Sequence, residues 1–128
     1  MTSFQEAILR VVQIIPPGSV MSYGQVAAYV GTPRAARQVG WAMRSMESTS
    51  DFPWWRVLNN AGKITIKGNQ FATAQLQKEL LQSEGVQINA EFTLDIERYR
   101  YRPTVAVLQQ LQLDPEYVKT VLAKYDIG

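Results

Sequence analysis

The sequence predicts a mainly α fold with a small β-hairpin, organised around a helix-turn-helix. Three observations predict this class. Apolar residues recur at helical spacing in several short segments that follow capping residues and end at glycine or proline. Two of these segments are joined by a tight turn that contains Gly31, the arrangement of a helix-turn-helix. Two short β-like runs, 57–58 and 63–66, flank a turn sequence that ends in glycine, which predicts the hairpin.

The first predicted helix begins at a capping box formed by Ser3 and Glu6. Its apolar residues, among them Ile8 and Val12, follow at helical spacing and should face the core. The run Pro16-Pro17-Gly18 ends this helix, because proline lacks the N–H that the helix needs.

The second and third predicted helices form the helix-turn-helix. Ser22 and Gln25 make another capping box, and Gly31 ends the second helix. Thr32 is then the predicted N-cap of the third helix, with Pro33 at its first position, where the missing N–H has no intrahelical partner to lose.

The third helix has an apolar face and a polar face. Ala36, Val39, Gly40 and Met43 make a stripe that should face the core. The opposite face carries Arg34, Arg37, Gln38, Trp41 and Arg44. Arginine and glutamine beside small alanines suit a helix that lies against a phosphodiester groove, and many solvated surface helices carry similar residues.

An aromatic cluster and a longer helix are predicted next. Residues 51–56 bring together three aromatic rings around a proline. Residues 73–84 predict a glutamine-rich helix, with Gly85 directly after its end. Its inward-facing leucines are Leu76, Leu80 and Leu81. Beyond it, residues 86–102 should be irregular or weakly extended, and 104–113 and 114–125 should form two short amphipathic helices.

Composition excludes several kinds of chemistry. The chain has 128 residues, the length of one domain, with 46% hydrophobic and 19% charged residues, so it can bury a core. It contains 0 cysteines and 0 histidines. A disulfide, a thiol nucleophile, a Cys/His zinc site and a Ser–His–Asp triad are therefore excluded. The acidic residues show no metal-ligand spacing, so we predict no metal, no cofactor and no catalytic residue.

The apolar runs are far shorter than the ~20 residues that span a bilayer. The N-terminus also lacks the basic start and apolar run of a signal peptide. We therefore expect a soluble cytoplasmic protein, with no membrane partner.

The positive charge is concentrated in the middle of the chain. Residues 31–68 hold six basic and two acidic residues, a net charge of +4, whereas the other segments sum to zero or −1. Such a concentration is typical of a nucleic-acid binder, and a solvated protein face gives the same pattern.

Five motifs in this order resemble the C-terminal domain of O6-alkylguanine-DNA alkyltransferases. They are Ile15-Pro16-Pro17-Gly18, Ser22-Tyr23-Gly24, Ala35-Ala36-Arg37-Gln38-Val39-Gly40, Pro53-Trp54-Trp55-Arg56-Val57, and Leu80-Leu81 with Glu84-Gly85. In those enzymes the fourth motif is Pro-Cys-His-Arg, and its cysteine accepts the alkyl group. Trp54 stands at the cysteine position, which is the mark of the alkyltransferase-like proteins that bind the damaged base without repairing it. The resemblance implies a winged-helix-like DNA-binding domain over residues 1–103, and leaves 104–128 as a helical extension that is either a partner surface or a lid on the core.

The resemblance also implies roles for individual residues. Arg37 matches the arginine finger that enters the base stack, and its planar, permanently charged guanidinium suits stacking and hydrogen bonding. The lesion pocket would be formed by Tyr23, Pro53, Trp54 and Lys67. The residues that contact DNA would be Arg34, Ala35, Ala36, Gln38, Trp41 and Arg44. Without the motifs, ordinary packing or solvation would explain Tyr23, Arg37 and Trp54 equally well or better.

Trp55 departs from the family pattern, because the enzymes have histidine there. The relay that activates the family cysteine is therefore impossible, and Glu84, which matches the carboxylate of that relay, should be structural. Arg56 should pair with a carboxylate, and the alternative is that it lines the pocket or holds a phosphate.

Three functions compete at this point. The first is a non-enzymatic sensor that binds O6-alkylguanine in duplex DNA, flips the base into a pocket and marks it for nucleotide excision repair proteins, acting as a monomer at the nucleoid. The second is a helix-turn-helix regulator that reads undamaged sequence. The third is an alkyltransferase with another acceptor, for which the predicted pocket offers no nucleophile. The resemblance favours the sensor.

Overall fold

The computed structural model describes residues 2–46, 51–64 and 73–125. The described part is mainly helical, with one small sheet, so the predicted class is confirmed. Its elements in chain order are α1 (Ser3–Gln13), β1 (Met21–Ser22), α2 (Tyr23–Tyr29), α3 (Ala36–Arg44), a 3-10 helix (Trp54–Arg56), β2 (Val57–Leu58), α4 (Ala74–Ser83), α5 (Ile96–Tyr99), α6 (Val105–Gln110) and α7 (Pro115–Tyr125). Within these ranges no helix is long and apolar enough to cross a membrane.

The N-cap of α1 lies one residue earlier than predicted. Thr2, not Ser3, is the N-cap, and its hydroxyl accepts from the backbone N–H of Gln5 while the Gln5 side chain accepts from the Thr2 N–H. The expectation for Ser3 and Glu6 is therefore wrong. Ile8 and Val12 are fully buried in the core, as the helical spacing predicts, so the error is confined to the cap.

The helix-turn-helix forms, but α3 starts later than predicted. The Ser22–Gln25 capping box is present, and Gly31 takes a φ of +91° after α2. Thr32 completes the end of α2 by donating its N–H to Ala27 O, as the Gly31 N–H does to Ala28 O. Thr32 does not cap α3, because that helix begins only at Ala36, beyond the reach of the Thr32 hydroxyl as an N-cap.

The start of α3 is consequently an uncapped turn. The Ala35 N–H donates to Thr32 O, and α3 begins at Ala36 with no side-chain cap. The prediction of Thr32 as N-cap and Pro33 as first helical residue is wrong. Arg34 therefore lies in the turn before α3 rather than on the helix.

The small sheet pairs two strands that are far apart in the sequence. β1 and β2 pair in parallel, with Met21 opposite Val57 and Ser22 opposite Leu58. The predicted hairpin between 57–58 and 63–66 is not what the described residues form, and residues 65 and 66 lie outside them.

Gly62 explains why the chain does not turn back on β2. The Leu94 N–H donates to Gly62 O, and a Cβ on Gly62 would lie 2.3 Å from Leu94 O. Lys63 then pairs antiparallel with Thr93, so this segment adds to the chain near residue 93. The glycine-ended turn is present, but the segment after it pairs with Thr93 and not with β2.

Helix α4 is followed by Gly85 as predicted, is capped by Thr73 instead of beginning at it, and differs from the prediction at one buried position. Thr73 caps it through the Leu76 N–H, and Gly85 follows its end with a φ of +95°. Leu76, expected to face inward, is exposed, whereas Gln77 is buried. Gln77 is tolerated inside because its amide donates to the carbonyl oxygens of Trp55 and Val57.

The segment after α4 contains more structure than predicted. A short helix, α5, interrupts residues 86–102, and Val20 pairs with Arg100. The predicted pair of C-terminal helices is present as α6 and α7. Leu108 and Val118 enter the main core, and the Tyr117 hydroxyl donates to Ala28 O at the end of α2. These two helices therefore pack on the helix-turn-helix.

Candidate nucleic-acid interface

The outer face of α3 has the polarity that the sequence predicts. Arg37, Gln38, Trp41 and Arg44 are all exposed, while Val39 and Met43 are buried. Trp41 is 58% exposed, which is unusual for so large an apolar side chain. An exposed indole among arginines is suited to stacking on a base or sugar and is poorly explained by packing within this chain.

The turn before α3 adds to the same end of the helix. Arg34 is exposed there, and Ala35 and Ala36 are half-buried at the helix start. Because these two side chains end at Cβ, a DNA backbone would meet little steric hindrance at this point.

Tyr23 connects α2 to α3. It is the first residue of α2 and is half-buried in the main apolar cluster. A Cβ placed on Gly40 would lie 3.9 Å from Tyr23 Cε1, so the ring lies over Gly40 of α3. The tyrosine is thereby held at the junction of the two helices.

Trp54 is the first residue of the 3-10 helix and follows Pro53 directly. Its side chain is only 6% exposed and packs in the main core. The Trp55 ring meets it edge to face, with ring centroids 5.9 Å apart and planes at 88°. The two indoles therefore form a right-angled aromatic corner.

An open cleft of about 490 Å³ borders this corner. Its lining consists of Gln13, Asp51, Phe52, Pro53, Trp54, Trp55 and Arg56. Such a volume falls in the range of small-molecule sites and admits a nucleobase. Pro53 and Trp54 of the predicted pocket thus share one cleft, Tyr23 is not in its lining, and Lys67 lies outside the described residues.

Glu84 is held by several donors behind the aromatic corner. Trp55 Nε1 donates to Glu84 Oε2 at 3.0 Å, and Arg56 Nη2 donates to the same oxygen at 2.6 Å. Arg56 Nε and the Gly18 N–H bind Glu84 Oε1 at 3.1 and 3.3 Å. Arg56 Nη1 donates to Ile15 O, so the guanidinium is fixed at both ends. Both structural expectations, for Glu84 and for Arg56, match this arrangement.

The donors around Glu84 stabilise its ionised form. Burial by itself raises the pKa of the Glu84 carboxyl, but hydrogen bonds from Arg56, Trp55 and Gly18 and the Arg56 charge outweigh it. The pKa therefore lies below its ordinary value. Because these donors bind both oxygens of the carboxylate, Glu84 is not available as a base at neutral pH.

No group of three or more carboxylates close enough to hold a metal ion occurs in residues 2–46, 51–64 and 73–125. The functional groups that this face offers are therefore arginine, amide, phenol and indole groups. They suit binding and stacking.

Comparison with known proteins places the chain in a family. The family model described as 6-O-methylguanine DNA methyltransferase, DNA binding domain, matches residues 3–86. The chain belongs to this family. The DNA base-flipping protein of Escherichia coli K12 is 39% identical over 99 residues, which cover 77% of this chain and 74% of that protein.

A second relative of the DNA-binding domain family matches in sequence and in structure. Alkyltransferase-like protein 1 of Schizosaccharomyces pombe is 39% identical over 107 residues, 80% of this chain and 98% of that protein. The crystal structure of Schizosaccharomyces pombe Atl1 in complex with damaged DNA containing O6-carboxymethylguanine matches with a TM-score of 0.73, over 80% of this chain and 98% of that one. The resemblance read from the five motifs is confirmed.

Two features of the site could not be read from the sequence. The motif marks Trp55 as a departure from the family, yet gives no sign that its indole N–H binds Glu84. Gln77, whose amide fixes the backbone of the aromatic corner through Trp55 O, stands at a position that helical spacing leaves unremarkable.

Proposed function

We propose that this protein is a non-enzymatic sensor of O6-alkylguanine in duplex DNA. The observation that carries the proposal is the cleft beside Trp54, large enough for a base and walled by two indoles. Base–aromatic stacking contributes roughly 1–3 kcal/mol per base. Relatives named as a base-flipping protein and as an alkyltransferase-like protein bound to damaged DNA support the same reading.

Recognition would begin with the outer face of α3 against the duplex. Arg34, Arg44 and Gln38 would hold the backbone, an interaction that weakens with salt. Arg37 would enter the stack and bond the partner base left behind. Extruding a base costs a few kcal/mol and less when it pairs badly, so an alkylated guanine is favoured over guanine.

Pro53 and Trp54, with Lys67, would then receive the base in the cleft, and Tyr23 would act from outside its lining. Tyr23 would crowd the phosphate beside the target nucleotide and help rotate it outward. Trp54 would supply a rigid apolar wall against the alkylated edge. The indole has no atom suited to accept an alkyl group, and the chain has no cysteine, so the lesion would leave unchanged.

The outcome of binding would be a persistent protein–DNA complex. As the resemblance implies, nucleotide excision repair proteins would recognise that complex, formed by a monomer at the nucleoid. The preference among alkyl sizes would be set by the cleft.

One titration separates the sensor from its alternatives. The protein is titrated against matched duplexes that carry guanine or O6-methylguanine at one position, and the recovered oligonucleotide is then analysed. Tighter binding to the lesion with the methyl group retained supports the sensor. Equal binding to both duplexes contradicts it and supports a regulator that reads undamaged sequence, and loss of the methyl group contradicts it and supports an enzyme.

A further inference from the structure

We propose that Trp55 is a positioning residue that fixes the orientation of the Trp54 indole at the wall of the cleft. The proposal rests on the proposed function for its effect on lesion binding. Its structural half, the immobilisation of Trp54, is testable without DNA.

The argument begins with what holds Trp55 itself. Its Nε1–H donates to Glu84 Oε2 at 3.0 Å, which fixes the rotation of the ring about its side-chain bonds. The Arg56 guanidinium carbon lies 5.4 Å from the centroid of the Trp55 ring and contacts its π system. Arg56 is in turn bound to Glu84 and to Ile15 O, so neither partner of Trp55 is free to move.

The second step is the contact between the two indoles. Trp54 meets Trp55 at 88° and 5.9 Å, a geometry that depends on the exact tilt of both rings. Trp54 is 6% exposed, lies in the main core and makes no hydrogen bond through its indole nitrogen within the described residues. Its tilt is therefore set by packing, and Trp55 is a packing partner that is itself anchored to a charge.

The third step concerns where the immobilised ring lies. Trp54 and Trp55 both line the cleft of about 490 Å³, so the tilt of Trp54 decides the shape offered to a stacked base. A preorganised wall loses less conformational freedom on binding and discriminates more sharply between substituents. A chain without histidine thus uses an indole N–H to bind Glu84 and makes the carboxylate part of a static support.

The test uses the intact protein and its three tryptophans as probes. Trp55→Phe keeps an apolar ring beside Trp54 and removes the donor to Glu84. Glu84→Gln keeps both indoles and weakens the acceptor. Glu79→Gln is the matched control, because Glu79 is exposed on α4, the helix that Glu84 follows, and its one hydrogen bond within the described residues comes from Gln75.

The first readout is the order parameter of the Trp54 indole N–H, measured by nuclear magnetic resonance relaxation without DNA. We expect a rigid value of about 0.85 in the wild type and in Glu79→Gln, and a fall toward 0.6 or below in Trp55→Phe. Glu84→Gln should shift the value in the same direction. An unchanged Trp54 order parameter in either folded variant overturns the proposal.

The second readout is the ratio of affinities for O6-methylguanine and guanine duplexes. We expect Trp55→Phe to lower this ratio by roughly tenfold or more, the scale of one hydrogen bond to a charged group. In Glu79→Gln the affinities for both duplexes should stay within about twofold of the wild type. If the wild type shows no lesion preference, the proposed function is wrong, and the order-parameter test still decides whether Trp55 fixes Trp54. If a variant with a lowered Trp54 order parameter keeps the wild-type affinity ratio, the link between positioning and recognition is overturned. Should Trp55→Phe not fold, Glu84→Gln decides both readouts.

Discussion

At the scale of single residues, the chemistry of the cleft follows from two tryptophans in adjacent positions. By the resemblance of the fourth motif, Trp54 would stand where the family enzymes carry their acceptor, and an indole offers contact area without nucleophilicity. Trp55 donates its N–H to Glu84, which is also bound by Arg56. Within the described part of the chain, neither Glu84 nor Arg56 is therefore placed to activate a nucleophile introduced at Trp54.

Trp54→Cys alone should not restore efficient alkyl transfer. The new thiol would lack a neighbouring base and keep a pKa near its ordinary ~8.5, so little thiolate would exist at neutral pH. The measurement is transfer of a labelled methyl group from an O6-methylguanine oligonucleotide to the protein. The double variant Trp54→Cys/Trp55→His returns an imidazole between the thiol and Glu84 and should react faster than the single one. Rapid labelling of the single variant would refute the argument.

Trp54→Ala and Arg37→Ala should each weaken lesion preference more than they weaken binding to undamaged DNA. Under the proposed function both would act after the DNA backbone has docked, Trp54 at the pocket wall and Arg37 in the base stack. Competition titrations at two salt concentrations measure the two effects separately, on variants whose circular dichroism matches the wild type. Arg34→Ala is the contrast, because a lost phosphate contact should lower both affinities alike and reduce the salt slope by about 0.9. Unchanged discrimination in both of the first two variants would show that the pocket is assigned wrongly.

At the scale of elements, the sequence predicts what is locally encoded. The Ser22–Gln25 capping box and the glycines after α2 and α4 act within one turn, and each is found where the pattern predicts it. The prediction that Thr32 caps α3 is wrong because a turn separates them, and α3 begins three residues later than this cap requires. In the structure the Thr32 N–H completes the end of α2.

The sheet shows the complementary limit. A glycine-ended turn at 59–62 predicts a hairpin, yet β2 pairs with β1 from 36 positions earlier in the register Met21–Val57. Nothing local to either strand encodes a partner at that separation. The prediction for α4 fails for a similar reason, since Gln77 is buried and Leu76 is exposed. The buried amide of Gln77 is satisfied by carbonyl oxygens of residues 55 and 57, which are distant in the sequence.

The ion pair between the 3-10 helix and α4 should make stability depend on acid pH. The folded pKa of Glu84 lies below its unfolded value of about 4.3, so its contribution is present above that pH and is lost as pH falls toward the folded pKa. Glu84→Gln should destabilise the protein by about 2 kcal/mol at pH 7, because it also leaves Arg56 half-buried without its charge partner.

Urea unfolding of the wild type and Glu84→Gln at pH 7, 5, 4 and 3 measures this dependence. The difference between their free energies of unfolding should narrow below about pH 4.3. Glu79→Gln, a change of the same charge on the exposed side of α4, should stay within about 0.5 kcal/mol of the wild type at neutral pH. A difference that is constant from pH 7 to pH 3 would mean that the carboxylate charge contributes nothing.

At the scale of the whole molecule, the C-terminal helices raise the question of whether they form part of one cooperative unit. The motifs end before residue 104, which suggests an extension. Leu108, however, is fully buried in the same cluster as Ile8 and Val39, and Tyr117 bonds the end of α2. Contacts of this kind make the helix-turn-helix and the extension unfold together, because neither apolar face is covered without the other.

Leu108→Ala should therefore destabilise the whole protein by about 2–5 kcal/mol. All three tryptophans precede residue 104, so their fluorescence reports unfolding of the part of the chain before the C-terminal helices. The urea midpoint of that fluorescence should fall in Leu108→Ala and coincide with the midpoint from circular dichroism. Val105→Ala is the matched control, since Val105 lies on the same helix, is 45% exposed and should change stability by about 0.5 kcal/mol or less. If Leu108→Ala left the tryptophan transition in place, the extension would be an independent layer, and the structural support of α2 would have to come from residues before 104.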